Sequence, residues 1–342
     1  MSKLSELQEK ARFRITDELQ EHPVVLEIWQ NGDSTKIGTL GNILLIQAKG
    51  KAGKTYFTSS LAACLIADTS YINFMAKLPP DKPKVIIFDT EQGQEDARTV
   101  QERIYRMAGF PIDKEAENLE YYCLRPFPAA ERLQLIDYIL SSSSGLGVVI
   151  IDGVRDLIND FNDTRESFIV VEKLMKWSDE QKIHIIAILH QNPNDDKARG
   201  HLGTELTNKA EYIISIGRDK QDDSFRTIEG YGRRKSFRPF AYTLDDADFP
   251  QLIESKDLSK TNPLKLDAQI HLGLISLIWG KIDKTKTITK NSLWPLIKLN
   301  FKLVDLKYSF SDSQCKELVE FYLQQGWIKN IGTTDKYNLT NK

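Results

Sequence analysis

Only three of the 342 residues are cysteines, Cys64, Cys123 and Cys315, and they are scattered along the chain. They form neither a disulfide framework nor a metal-ligand spacing, which fits buried apolar thiols in a reducing cytoplasm. No apolar run approaches the roughly 18 residues that a membrane span needs. The opening stretch MSKLSELQEKARFR is polar and charged and does not read as a signal peptide. Neither sign of charge dominates: 46 Lys and Arg against 48 Asp and Glu give a formal net charge of −2. That balance excludes coating of nucleic acid by bulk charge, so any such contact must be local. No internal repeat is evident.

The length is enough for two folded domains, since single cores stop growing at roughly 250 to 300 residues. Residues 1–22 read as a polar helical lead-in. The stretch VVLEIWQNGDSTKIGTL then puts an Asn-Gly turn between two short β-type runs, a hairpin signal. NILLIQA is a continuous apolar run of strand length, followed by a glycine-containing turn and a helix-type segment from Thr55 to about Ala67. KVIIFDTE, GVVIIDGV, IHIIAILHQN and AEYIISIGRD are further apolar strand-like runs separated by helix-like stretches. Strands this apolar have both faces covered, which predicts an α/β fold with a mostly parallel sheet sandwiched by helices. FRTIEGYGRRKSFRPFAYTLD reads as an antiparallel extension. The main domain is thus expected over 23–255, a polar linker over 256–264 and a small domain over 265–342. In that last region three segments of helical spacing, the third with Ser311 as N-cap, precede two short strands, the outline of a winged helix.

QAKGKAGKT, residues 47–55, approximates the phosphate-loop pattern G-x-x-x-x-G-K-[ST], with Ala48 where the first glycine belongs. Gly50, Lys51, Ala52, Gly53, Lys54, Thr55 and Tyr56 form the candidate nucleotide set. Such a turn exposes backbone N–H groups, Lys54 supplies an ammonium for the β and γ phosphates, and Thr55 a hydroxyl for Mg²⁺. The bland alternative is a lysine-rich surface turn, but strand, loop and helix in that order give the motif the context it needs. Alanine lacks the freedom of glycine at positive φ, so the loop entrance is expected to differ slightly. Asp152 ends the apolar VVIID and is the candidate to hold the metal through water. Asp89 and Glu91 close another strand, where period two points both the same way and one carboxylate can polarise an attacking water.

The order of phosphate loop, FDTE, VVIIDG and ILHQN resembles the RecA-like ATPases, and within them the RepA and DnaB class of ring helicases, of the kind carried by bacterial mobile elements. The resemblance spans about residues 24–254. It implies that Glu91 activates water and that Gln191 senses the γ phosphate, with His190 as companion. It further implies that the basic segment GYGRRKSF, with Arg233, Arg234 and Lys235, reaches a neighbouring subunit's nucleotide. The segment 192–203 corresponds to the central-channel loop. There Lys197, Arg199 and His201 are candidate contacts to single-stranded DNA, Gly200 and Gly203 give mobility, and Asp195 and Asp196 oppose the contact. Nothing resembles the primase-binding collar of DnaB helicases, which leaves the shorter RepA type as the nearer analogy.

Residues 281–342 hold eleven lysines and six acids. If the third helix of the small domain enters a duplex groove, Ser313, Gln314 and Lys316 face the DNA, with Lys329 and Lys336 in the wing. Leu318, Phe321, Tyr322, Trp279, Trp294 and Trp327 read as core. The expectation is therefore an oligomeric MgATP-hydrolysing helicase or translocase acting on DNA, a hexamer in its ring form. Its rival is an ATP-gated DNA-binding regulator without strand separation.

Overall fold

The computed structural model describes residues 3–18, 21–30, 32–160, 163–192, 198–218, 224–233, 235–253, 264, 266, 268–280, 287–304, 312–331 and 336–339. The chain divides into two compact units, residues 1–214 with 231–236, and residues 215–230 with 237–342. All of the expected linker except Leu264 lies outside the described residues, as do Ser311, Lys197 and Arg234.

The first unit opens with helix α1 (Lys3–Ala11), which buries no residue. β1 (Val24–Gln30) and β2 (Asp33–Thr39) pair antiparallel on either side of the expected Asn-Gly turn, whose Asn31 lies outside the described residues. With β4 (Ser70–Tyr71) and β5 (Phe74–Ala76) these make a four-stranded sheet in the order β2-β1-β5-β4. Between the two pairs come β3 (Ile43–Ala48) and α2 (Lys54–Ala67), the strand and helix that flank the glycine-containing turn.

The rest of this unit alternates. It runs β6 (Lys84–Asp89), α3 (Gln94–Ala108), β7 (Leu119–Cys123), α4 (Ala129–Ser142), β8 (Leu146–Asp152), α5 (Thr164–Gln181), β9 (His184–His190), α6 (Gly200–Lys209) and β10 (Tyr212–Arg218), whose first three residues belong to it. The strand order is β10-β3-β9-β8-β6-β7, and the pairs β3–β9, β9–β8, β8–β6 and β6–β7 are parallel. Every position of β3 and β8 is buried, because alternate residues serve opposite faces. Ile43, Leu45, Phe88, Val149, Ile151 and Leu189 pack with Ile136 of α4, Leu174 of α5 and Leu202 of α6. The intervening Leu44, Ile46, Ile87, Ile150 and Ile188 are buried as well, on the side where α2 contacts β6 and α3. Each such side chain contributes about 1.5–3 kcal/mol. This is the RecA-like α/β arrangement expected from the motif order. It brings the carboxyl ends of β3, β6, β8 and β9 to one edge, where open α/β sheets carry their ligands.

In the second unit β11 (Arg226–Gly232, its last two residues in the first unit), β12 (Phe240–Leu244) and β13 (Pro250–Ile253) pair antiparallel in sequence. Helices α7 (Ala268–Gly280), α8 (Lys290–Val304) and α9 (Asp312–Gln324) follow the three expected helical segments. A sheet of β14 (Ile288–Thr289), β16 (Lys336–Leu339) and β15 (Ile328–Asn330) completes them; β14 precedes α8 and was not evident in the sequence. Trp279, Leu318 and Tyr322 are fully buried in this cluster, and Phe321, Trp294 and Trp327 pack against it.

Candidate nucleotide site

The phosphate loop leaves β3 at Ala48, which is buried, lies opposite His190 in the β3–β9 register, and accepts the N–H of Gln191 at 2.8 Å through its carbonyl. Positive φ falls later, at Lys51 (60°) and Gly53 (88°), so the backbone makes no demand at position 48 that alanine cannot meet. Gly53 caps α2 and leaves the first-turn N–H groups of that helix to the loop, the donors that a phosphate requires. Tyr56 is half-buried, and the Arg103 guanidinium lies 4.3 Å from its ring centroid.

Lys54 is buried, and burial lowers its pKa against the pull of Glu91, Asp152 and Asp156. Its Nζ lies 3.1 Å from His190 Nδ1 and 2.9 Å from Nε2. His190 Nε2 in turn lies 3.3 Å from Glu91 Oε1. Bonded chiefly by His190 and attracted by Lys54, the Glu91 carboxyl is held below the usual range although burial opposes this. It is therefore a carboxylate near neutrality, about two-fifths exposed, and chemically able to accept a proton from water.

The expectation that Asp89 and Glu91 point the same way is not met. Strand β6 ends at Asp89, whose Oδ1 accepts the N–H groups of Glu91 and Gln92, both at 2.9 Å, while Oδ2 accepts the Tyr121 hydroxyl at 2.7 Å. Asp89 is thus a buried turn-former, and period two no longer applies where Glu91 leaves the strand. A glycine completes the arrangement: Gly153 has φ 113°, and a Cβ there would sit 2.7 Å from Glu91 Oε1. Only glycine suits both the backbone angle and the carboxylate beside it. The letters DG after an apolar strand were the available signal, but nothing local says what lies above the glycine.

Asp152 is buried, and its Oδ1 has no hydrogen-bond partner. Burial, with Glu91 and Asp89 nearby, pushes its pKa up to about 7, against Lys54 and His190. An orphaned, desolvated carboxylate oxygen beside a phosphate loop fits a divalent cation held through water, with the half-buried Thr55 as the hydroxyl partner. Among the described residues no three acidic, histidine or cysteine side chains cluster as a self-sufficient metal site.

Of the remaining candidates, Gln191 is buried and its backbone bridges Ala198; it is His190 whose side chain meets Lys54. Arg199 and His201 are exposed at the start of α6. Gly203 does not lend mobility: it lies within α6, where a Cβ would meet the Ala198 carbonyl carbon at 2.5 Å, so it serves close packing. Arg233 is exposed and its N–H donates to the Glu211 carbonyl, whereas Lys235 is ion-paired with Asp33 of the hairpin. Lys316, Lys329 and Lys336 are exposed, Gln314 half-buried, and Lys316 sits 5.0 Å from the Trp294 ring centroid. The position of the Ser313 side chain lies outside the described residues. Cys64 and Cys315 are buried as expected; Cys123 is only half-buried.

Sheet, loop, lysine and the strand-end acids Asp89 and Asp152 together make a P-loop-type candidate nucleotide site on a mostly parallel α/β sheet. More particularly, residues 36–196 match the family described as an AAA domain. A solved structure described as the crystal structure of the RadB recombinase is similar at 14% identity and a TM-score of 0.45, over 63% of this chain and 92% of that one. No curated protein sequence matches. No helix among the described residues is long and apolar enough to cross a membrane.

Proposed function

We propose that this chain hydrolyses MgATP and couples the reaction to work on DNA, as a RepA-like helicase or translocase of a plasmid or mobile element. The observation that carries the reading is the convergence of Lys54, Glu91 and the orphaned Asp152 oxygen at one sheet edge beside the phosphate loop. The loop N–H groups bind the phosphates, and Lys54 neutralises charge that develops between β and γ. Glu91 orients water for in-line attack on the γ phosphate and takes up its proton. Asp152 and Thr55 would hold Mg²⁺, which when bound supplies charge neutralisation at the phosphates. Gln191 and His190 follow the state of the γ phosphate from the end of β9. A basic residue of the neighbouring subunit completes the site; Arg233 is the better candidate of the described pair, since Lys235 is engaged by Asp33 in its own chain.

DNA enters this reading through the exposed Arg199 and His201, with Lys197, on the channel segment, and through a winged helix over 265–342 whose Lys316, Lys329 and Lys336 are exposed. ATP turnover, measured with and without single-stranded and duplex DNA, tests it. Lys54→Ala should abolish turnover; unchanged turnover would refute the site assignment. Stimulation by single-stranded DNA with unwinding of a forked duplex supports the helicase. Duplex binding without unwinding, lost on deleting residues 265–342, supports the ATP-gated regulator instead, and indifference to all DNA removes DNA from the reading.

A further inference from the structure

Residues 89–91 turn at the end of β6, and both neighbouring strands hold the turn. On the β8 side the Thr90 N–H donates to the Asp152 carbonyl at 2.8 Å, and the Thr90 hydroxyl lies 3.0 Å from the Gly153 carbonyl and 3.0 Å from Asp156 Oδ2. On the β7 side the Leu124 N–H donates to the Asp89 carbonyl at 2.6 Å, and the Tyr121 hydroxyl donates to Asp89 Oδ2 at 2.7 Å. Tyr121 is opposite Ile87 in the β6–β7 register. Its ring therefore shares the face of Ile87 and Asp89 and reaches the next position along that face.

The buried Asp89 carboxylate is engaged at both oxygens, by the Glu91 and Gln92 N–H groups on Oδ1 and by the phenol on Oδ2. Burial, with Asp89 beside it, pushes the Tyr121 hydroxyl far above its ordinary range, so the proton stays on the phenol and the bond keeps its direction. Without the phenol only Oδ1 is held, and the carboxylate gains freedom about its side-chain torsions. The Glu91 N–H is one of its two remaining donors, so that freedom passes to the backbone from which Glu91 projects.

We infer that Tyr121 is a positioning residue for the water-activating step: its hydroxyl fixes Asp89, and Asp89 fixes the turn that sets Glu91 against Gly153. The inference rests on the role of Glu91 proposed above. It gives Asp89 a task in which accepting hydrogen bonds matters and charge does not, unlike Glu91 and Asp152. An asparagine offers the same oxygen to the two N–H groups, and its amide can donate to the phenol oxygen. Asp89→Asn therefore keeps the hold on the turn, with the last bond reversed, and Asp89→Ala loses it.

The test is steady-state turnover of the full chain alongside calorimetric titration with Mg·ADP. Tyr121→Phe keeps the ring and removes the hydroxyl; kcat should fall about 5- to 20-fold, the scale of one hydrogen bond to a charged group. Mg·ADP affinity should stay within about twofold, since the phosphate-loop donors are untouched. Added to Glu91→Gln, the same change should lower the residual turnover no further, because a residue that acts through another is not additive with it. Asp89→Asn should keep kcat within about threefold of wild type, and Asp89→Ala should lose at least as much as Tyr121→Phe. Unchanged kcat in Tyr121→Phe would overturn the inference, as would an equal loss with Glu91 present and with glutamine in its place, the pattern of general structural support. If Tyr121→Phe does not fold, an Asp89→Asn loss as large as that of Asp89→Ala overturns it equally, because charge and not the hold on the turn would then be what matters. Glu91→Gln alone is the control: unchanged turnover there would show that the site reading itself has failed, whereas a large loss there with normal turnover in Tyr121→Phe counts against Tyr121 alone.

Discussion

Asp152, at the carboxyl end of β8, and Glu211, just before β10, are both buried carboxylates of the first unit, and they are kept in different ways. Glu211 accepts from the Thr39 N–H at 2.7 Å and from the Thr39 hydroxyl, with His184 Nδ1 at 3.7 Å. His184 itself is pushed toward its neutral form by burial and bonds the Thr39 carbonyl at 3.0 Å. Around Glu211, near the amino ends of β3 and β9, hydrogen bonds that satisfy the carboxylate tie the hairpin to the sheet, although His184 Nε2 is left without a partner. Asp152 has an oxygen without a partner, two other carboxylates near it, and a pKa raised to about 7. Buried polar groups left unsatisfied are costly, so the difference separates an acid satisfied within the fold from one that fits the metal-holding role proposed above.

Removing each charge should therefore move stability in opposite directions. For Asp152→Asn the sign follows from the raised pKa: the native state holds the proton more tightly than the unfolded chain. The wild type loses nothing below the ordinary carboxylate range, and loses stability as pH rises through about 7. The variant escapes that loss. Its advantage in urea unfolding should be near zero at pH 4 and approach roughly 4 kcal/mol above pH 7, while its Mg-dependent turnover is lost. A variant less stable than wild type at pH 8 would contradict this account of Asp152.

Glu211→Ala should do the reverse. Leaving the Thr39 N–H and hydroxyl buried without their acceptor costs about 3 kcal/mol, visible in the same unfolding curves, while turnover by the folded fraction stays within about threefold of wild type, a range of under 1 kcal/mol in barrier. A loss of less than about 1 kcal/mol would mean that water replaces the carboxylate as acceptor for Thr39.

Gly153→Ala sharpens the contrast from within the site. A non-glycine residue at φ 113° costs about 1–3 kcal/mol, and the new methyl displaces Glu91. Melting temperature should fall modestly and turnover by more than tenfold, with Mg·ADP affinity retained. Normal turnover would show that Glu91 need not occupy its present position.

These effects also mark what the sequence could reveal. The strands, the phosphate loop and Asp152 were readable because each is encoded locally, by apolar runs and the letters that end them. Glu211 was not, since its partner Thr39 lies 172 positions away in sequence and neither residue stands in a motif. The separate roles of Asp89 and Glu91 were hidden for a related reason: a two-residue period cannot foretell that Asp89 turns inward to cap the chain and meet Tyr121. His190 and Gln191 stand side by side at the end of β9, and only the pairing with β3 decides which side chain faces Lys54. The β2-β1-β5-β4 sheet was half visible, through its Asn-Gly hairpin, because β4 and β5 are too short to carry a pattern.

The smallest effect concerns the irregular letter of the phosphate loop. Ala48 is an extended, fully buried strand residue whose carbonyl binds the Gln191 N–H, and the left-handed angles of the loop fall at Lys51 and Gly53. Ala48→Gly removes one methyl and loosens the end of β3, which costs about 1 kcal/mol of stability. The phosphate-facing donors begin beyond it, so calorimetric titration with Mg·ADP should show a change in affinity of less than about threefold, or under 1 kcal/mol. A glycine that tightened binding tenfold would show that the entrance is constrained by its alanine, and one that abolished binding would show that the loop depends on β3 holding its last residue rigid. Either result would move the end of β9 as well, because Ala48 and His190 are partners across the same pair of strands.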